Sequence, residues 1–267
     1  MGVLNVTPDS FSDGGAFVER DRALAAGLAQ FEAGADIVDV GGESTRPGSR
    51  PVDPEQEIRR VVPVIEALRR RGPGLLSVDT TKAEVAAAAL DAGADLVNDV
   101  SGFRFDPGLA AVVALRAVPA VVMHLRGGFL SMHHEPGYGD LMAEIVAELE
   151  QSLALGAAAG IPRERLIVDP GIGFAKDADR SLEALARLGE LAVLERPLLV
   201  GPSRKSFIGK VLDRPVGERL MGTAAAVAAC VLGGAHLVRV HDVKEMVQVV
   251  KLTDALLAHQ PGIEAQL

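Results

Sequence analysis

The chain has 267 residues, 48% of them hydrophobic and 24% charged, enough to bury a sizeable core, which excludes a disordered or disulfide-stapled polypeptide. Its formal charge of −9 leaves no general basic surface for nucleic acid or an anionic membrane, so any anion site must be local. A single Cys230, no basic-then-apolar leader and no uncharged run longer than the 16 residues from Leu220 to Ala235 point to a reducing cytoplasm.

Taken from the amino end, short apolar, often β-branched runs alternate with Ala-, Leu-, Glu- and Arg-rich stretches, the marks of strand and helix. The strand Val3–Val6 precedes a helix over Arg20–Ala33, Ile37–Val40 precedes Pro54–Arg71, and Leu75–Val78 precedes Lys82–Ala92. Leu96–Val100 is followed by Pro107–Arg116, Ala120–Met123 by Asp140–Gly160, and Leu166–Val168 by Asp179–Leu191. Leu198–Val200 leads to Arg219–Leu232, and Leu237–Val240 to Val243–His259. The segment Ala33-Gly34-Ala35-Asp36-Ile37-Val38 returns as Ala92-Gly93-Ala94-Asp95-Leu96-Val97 and more loosely as Gly233-Gly234-Ala235-His236-Leu237-Val238, successive copies lying 59 and then 141 residues apart. Those spacings correspond to two and four βα units of roughly 30 to 35 residues. Eight alternations without a linker predict an α/β protein, a single (β/α)8 TIM barrel forming one domain over 1–267; an open doubly wound sheet is the alternative.

In such a barrel the active site lies at the carboxyl ends of the strands, so the polar residues that close each run are the candidates. They are Asn5; Glu43, Ser44, Thr45 and Arg46; Asp79; Asn98 and Asp99; His124; Asp169; Ser203, Arg204, Lys205 and Ser206; and Arg239, His241 and Asp242. Each has a plain structural reading: Asp79 as a helix cap, His124 and His241 as satisfied core histidines, Arg204 and Lys205 as solvated cations. Function is favoured by their convergence, since every strand offers a polar group to one rim in a chain with only two Asn and six Lys. The Gly-containing turns Gly41–Gly48 and Asp169–Phe174 let backbone approach a ligand, and Asn5–Gly15 reads as a mobile lid. Neither a Walker sequence nor a cysteine zinc spacing occurs.

Over essentially the whole chain, Asn5–Gly15, Gly41–Gly48, Ser77–Thr80, Val97–Gly102, Met123-His124, Asp169–Phe174, Ser203–Ser206 and Arg239–Asp242 resemble, in order, the motifs of dihydropteroate synthases, of the pterin-binding TIM-barrel superfamily. The resemblance implies a transferase of folate biosynthesis and a sulfonamide target. Such an enzyme condenses (7,8-dihydropterin-6-yl)methyl diphosphate with p-aminobenzoate to give 7,8-dihydropteroate and pyrophosphate. The resemblance also implies that Asp79, Asn98, Asp169 and Lys205 hold the pterin ring between apolar walls Met123 and Val100, while Thr45, Arg239, Val240 and His241 serve its diphosphate end. Asn5 would bind a Mg2+ cofactor bridging diphosphate oxygens, and Phe11, Arg46, Pro47, Phe174, Lys205 and Ser206 would form the p-aminobenzoate site. Lys205, Arg239, His241 and Asp79 are the residues expected to carry catalysis. The implied partners are small-molecule substrates and a second copy in a homodimer, with no nucleic acid and no membrane.

The chemistry agrees with this assignment. Loss of pyrophosphate leaves a cation delocalised into the dihydropterin ring, so the site must favour opposite charges, with Asp79 and Asp169 toward one end and Arg239, His241 and Mg2+ toward the other. An arylamine is neutral at pH 7 and needs no strong base, so the expected route is SN1-like without a covalent enzyme intermediate. A methyltetrahydrofolate corrinoid methyltransferase is not expected to combine Ser203–Ser206 with Asn5–Gly15, and a non-catalytic pterin-binding paralogue would lack the diphosphate or arylamine residues. Two departures from the family pattern stand out. Ala175 occupies a position where Gly is usual, a change that costs little unless φ is positive there, and Leu125–Leu130 replaces the usual Gln-Gly-Thr-Pro.

Overall fold

Parallel strands covered by helices on one side and by each other on the second are buried on both faces, which is why their sequences read as unbroken apolar runs. The computed structural model describes residues 1–7, 16–44, 51–128 and 137–259, with the backbone alone for 16–19. The runs form β1 (Gly2–Asn5), β2 (Ile37–Gly41), β3 (Leu75–Asp79), β4 (Leu96–Asp99), β5 (Ala120–Met123), β6 (Leu166–Asp169), β7 (Leu199–Val200) and β8 (Leu237–Val238). Between them lie α1 (Ala16–Glu32), α2 (Pro54–Arg71), α3 (Ala83–Asp91), α4 (Pro107–Arg116), α5 (Leu141–Ala158), α6 (Ala178–Ala186), α7 (Ser206–Leu212), α8 (Leu220–Leu232) and α9 (Val243–Leu257).

Strands β1 to β6 pair in chain order, all parallel, and β7 pairs with β8. Two parallel bridges, Val168 with Leu198 and Gly2 with Val240, join the two sets. There Val168 N donates to Pro197 O at 2.9 Å and Val3 N to Val240 O at 3.0 Å. The ring is therefore closed, and the fold is the (β/α)8 barrel rather than an open sheet.

Local signals set the helix ends. Asp53 accepts Glu55 N at 3.0 Å ahead of Pro54, and Arg69, Arg70 and Arg71 occupy the last turn of α2, where cations offset the helix dipole. Asp106 serves two helices at once: Oδ1 accepts Gly108 N at 2.9 Å to cap α4, and Oδ2 accepts Ala83 N at 2.7 Å at the start of α3. Two elements differ from the sequence expectation. Helix α6 stops at Ala186, because Arg187 leaves the helical region at φ −112° and ψ 19°, and the chain continues as a 3₁₀ segment, Leu188–Leu194. Helix α7, two turns long, is too short for its periodicity to register in the sequence.

Along each strand, side chains two residues apart share a face. Ile37, Leu96, Val121 and Leu199, with Met1, Ile167 and Leu237 beside them, make an apolar plug at the amino ends of the strands. Two residues further along the same strands stand Asp39, Asn98, Met123, Asp169, Gly201 and Arg239, and two beyond several of those stand Val100, Gly171, Ser203 and His241. A polar layer thus rests on a dry floor. The main core, including Ile65, Leu68, Leu109, Ile145, Leu149 and Leu166, fills the space between strands and helices.

Candidate active site

The inward polar layer is organised by Arg239. Its Nε donates to Asp39 Oδ2 at 2.6 Å, its Nη2 donates to Asp79 Oδ2 at 2.7 Å, and Asn98 Nδ2 donates to the same Asp39 oxygen at 2.9 Å. Asp39 Oδ1 and Asp79 Oδ1 are buried with no hydrogen-bond partner among the described residues. Burial pushes Asp79 up to about 7 although the guanidinium beside it opposes that shift. Acceptors left over in an enclosed site suit a ring that presents N–H groups.

At the end of β6, Asp169 Oδ1 accepts Gly171 N at 2.7 Å, and burial raises this carboxyl to about 6. Gly171 has φ +66°, and a Cβ there would lie 2.1 Å from the His124 carbonyl oxygen, so only glycine fits this turn. Across from it, the Lys205 ammonium stands 4.1 Å from the centroid of the Phe174 ring, and burial lowers it to about 8. The two cations of Ser203–Ser206 part company. Arg204 takes φ 58°, a left-handed conformation costly for a side chain with a Cβ, and pairs with Asp242, Nε to Oδ2 at 3.0 Å, while Lys205 enters the cavity.

Ser203 Oγ accepts the His241 backbone N–H at 3.2 Å and lies 3.0 Å from His241 Nδ1. When the hydroxyl proton bridges to Nδ1, the ring N–H stands on Nε2. Burial, with Arg204 and Arg239 nearby, lowers His241 to about 4. At pH 7 the imidazole is therefore neutral, and it meets an anion as a hydrogen-bond donor and not as a cation.

A cavity open to solvent is lined by Asn98, Val100, Met123, Asp169, Phe174, Lys205, Arg239 and His241, all expected from the sequence, together with Gly171, Gly201 and Ser203. Asp79 lies behind this lining and joins it through Arg239, so these two groups are in contact rather than at opposite ends of the site. Asn5 ends β1, half-buried, and Ser206 begins α7, exposed. Val240 is a correction: its side chain packs with Val227, Val243 and Met246 against α8 and α9. Neighbours in an extended chain face opposite sides, so Arg239 and His241 point inward and Val240 outward. Phe11, Thr45, Arg46 and Pro47, with most of the Asn5–Gly15 and Gly41–Gly48 turns, lie outside the described residues.

Asp99 and His124 also turn away from the cavity. Asp99 accepts Ser101 N at 2.8 Å and Phe103 N at 2.6 Å, and His124 Nδ1 lies 2.8 Å from the Lys176 ammonium. Asp79 caps no helix, since the N-cap position of α3 is Lys82. Reading only the residue that closes each run overlooks Asp39; its signal is a lone charge inside Ile37-Val38-Asp39-Val40, two residues past Ile37. Ala175 takes φ 50°, the positive value at which the exchange for Gly carries strain of about 1 kcal/mol.

A family model for pterin binding enzymes matches residues 1–241. The chain belongs to that family. A dihydropteroate synthase of Synechocystis sp. is 48% identical over 257 residues, covering 96% of this chain and 89% of its own. Among solved structures, the Xanthomonas albilineans dihydropteroate synthase with 4-aminobenzoic acid is 44% identical with a TM-score of 0.91, covering 97% of this chain and 93% of that one. The Yersinia pestis dihydropteroate synthase in a sulfonamide drug complex is 43% identical with a TM-score of 0.91, covering 97% and 94%. The protein is an enzyme of this kind, a transferase of folate biosynthesis.

Proposed function

We propose that the chain joins p-aminobenzoate to (7,8-dihydropterin-6-yl)methyl diphosphate and releases pyrophosphate with 7,8-dihydropteroate. The reading is supported best by two kinds of recognition in one cavity. Asn98, Asp169 and the Asp79–Arg239 pair suit the amide-like edge of a pterin, and Lys205 over Phe174 suits an aromatic carboxylate. Met123 and Val100 supply apolar walls. The family resemblance assigns Phe11, Arg46, Pro47 and Ser206 to the arylamine with Lys205 and Phe174, and Thr45 to the diphosphate with Arg239 and His241. The X. albilineans relative holding 4-aminobenzoic acid and the Y. pestis relative holding a sulfonamide support the arylamine assignment.

In the reaction the C–O bond breaks with its electron pair going to pyrophosphate, leaving a cation shared between the exocyclic methylene and the ring. The arylamine nitrogen then donates its lone pair to that carbon and loses a proton to water, to which the cavity is open. Asp169 favours the cation, the paired Asp79 and Arg239 stand between the two charges, and Arg239, through N–H groups not used on Asp39 and Asp79, and His241 through Nε2–H favour the leaving group. No base is needed before bond formation, so the displacement is SN1-like and passes through no covalent enzyme intermediate.

Mg2+ is the cofactor we assign, held by Asn5. The donors fit an ion carried largely by substrate oxygens and water: Asn5 offers one neutral oxygen, and among the described residues no group of three or more His, Cys, Asp or Glu is placed to hold a metal. When bound, the ion neutralises diphosphate charge. Exposed Val211, Val216, Met221 and Leu252 on and around α7 to α9 support a homodimer. The lone, buried Cys230 supports a cytoplasmic site, and no helix among the described residues is long and apolar enough to cross a membrane. Measuring pyrophosphate release tests the whole reading. Release that requires p-aminobenzoate is expected; pterin diphosphate binding with no release, or release indifferent to the arylamine, overturns it.

A further inference from the structure

One buried cation outside the cavity has no place in the chemistry above. Lys176, only 3% exposed, follows the β6 turn and sits beneath it. Its nitrogen, whose pKa burial lowers to about 7, lies within hydrogen-bond reach of three groups: Gly171 O at 3.2 Å, Phe174 O at 3.1 Å and His124 Nδ1 at 2.8 Å. The turn needs such an anchor, because Gly171, Gly173 and Ala175 all take positive φ, of 66°, 77° and 50°, and the carbonyls of this winding segment cannot pair along a strand or helix. The histidine is prepared to accept. Burial and the neighbouring Lys176 lower His124 to about 4, so the ring is neutral at pH 7 and accepts at Nδ1 in the tautomer that carries its proton on Nε2, which lies 3.0 Å from Glu148 Oε2, a contact outside hydrogen-bond alignment.

The two ends of the turn are held differently. Gly171 is fixed without Lys176: its N–H is bound to Asp169, and His124 N donates to Asp169 O at 2.8 Å. At the other end, Phe174 has its own N–H bound to Gly171 O at 3.0 Å, contacts to Val100, Met123 and Leu125, and the ammonium of Lys176. We propose that Lys176 is a positioning residue for the arylamine half of the site, lacing the β6 turn from below so that the Phe174 ring is held against Lys205. The proposal rests on the assignment of Phe174 to p-aminobenzoate.

The test compares Lys176→Met, which keeps the length and removes the donors, with Lys176→Gln and Phe174→Ala. In Lys176→Met the KM for p-aminobenzoate is expected to rise about tenfold or more while that for the pterin diphosphate stays within about twofold, with partial recovery in Lys176→Gln. Combined with Phe174→Ala, Lys176→Met is expected to add less than about twofold, because both act on one ring. Amide exchange should quicken over 170–176 and nowhere else. Equal losses for both substrates, additive effects in the double variant, or exchange unchanged over 170–176 would overturn the proposal. If Lys176→Met does not fold, the same comparison in Lys176→Gln decides it. A Phe174→Ala enzyme with an unaltered KM for p-aminobenzoate removes the assignment on which the proposal stands, and a Phe174→Ala effect without a Lys176→Met effect removes the proposal alone.

Discussion

Two residues with no net freedom, Asp39 and Arg239, explain why the floor of the cavity is stable enough to present unpaired acceptors. Asp39 is fully buried and its Oδ2 accepts from both Arg239 and Asn98, so removing it would leave a guanidinium enclosed with one partner fewer. Breaking a buried pair from one side costs about 3–5 kcal/mol, and urea unfolding of Asp39→Ala is expected to show a loss of that order. A loss under about 1 kcal/mol would mean that Arg239 is held by Asp79 alone. Lys205 makes a second residue-scale prediction. Asp169 is a carboxylate above about 6, Asp79 above about 7 and Lys205 an ammonium below about 8, so kcat/KM should rise through the first two values and fall through the third as pH increases. Lys205→Ala should cost more than about a hundredfold in turnover, and in Lys205→Arg, whose guanidinium does not titrate in this range, the alkaline fall should vanish. An unchanged alkaline limb in that variant would assign it to another group.

At the scale of elements, Glu43 after β2 and Val52 ahead of α2 are tied to each other and to the start of α3. Lys82, at the start of α3, pairs with Glu43 after β2 and with Glu57 in α2, and Glu43 Oε1 accepts Val52 N at 3.1 Å. Arg60 Nη1 adds a bond to Gly42 O at 2.7 Å. Burial opposes the lysine charge, but the two carboxylates outweigh it and hold its pKa above the ordinary value. Glu57 is fully buried, so Lys82→Met would strand a carboxylate in the layer between α2 and α3. Thermal or urea denaturation of that variant is expected to show about 3 kcal/mol of destabilisation, and Lys82→Met with Glu57→Gln should recover part of it. Full additivity of the two substitutions would show that the three groups do not act together.

Across the whole molecule, the paired Asp39, Asp79 and Arg239 lie inside the ring, whereas the apolar side chains of Val211, Val216, Met221 and Leu252 are exposed outside it, Met221 at 78%. Exposed apolar side chains of this kind are what a second copy would bury, and a glutamate at position 221 would have to be desolvated on association there. Met221→Glu is expected to give a monomer by light scattering, with the cavity residues untouched. A dimer that survives this change at micromolar concentration would place the interface elsewhere.

Much of this organisation is legible in the amino-acid order. Apolar runs and their spacing mark all eight strands, and the bounds of α2 and α4 coincide with the sequence expectation, because Asp-Pro starts them and basic residues close them. The candidate site is legible in the same way: a period of two carries each strand from plug to polar layer, as from Leu96 to Asn98, Ile167 to Asp169 and Leu237 to Arg239. What the local order does not carry is which distant groups meet. Arg239 finds Asp39 across 200 residues and Asp79 across 160, and Lys176 finds His124 across 52, contacts that exist only once the ring closes. The same closure turns Val240 outward and His124 and Asp99 away from the cavity, because a side chain's direction depends on the strand's register within the barrel, and register is a property of all eight strands together.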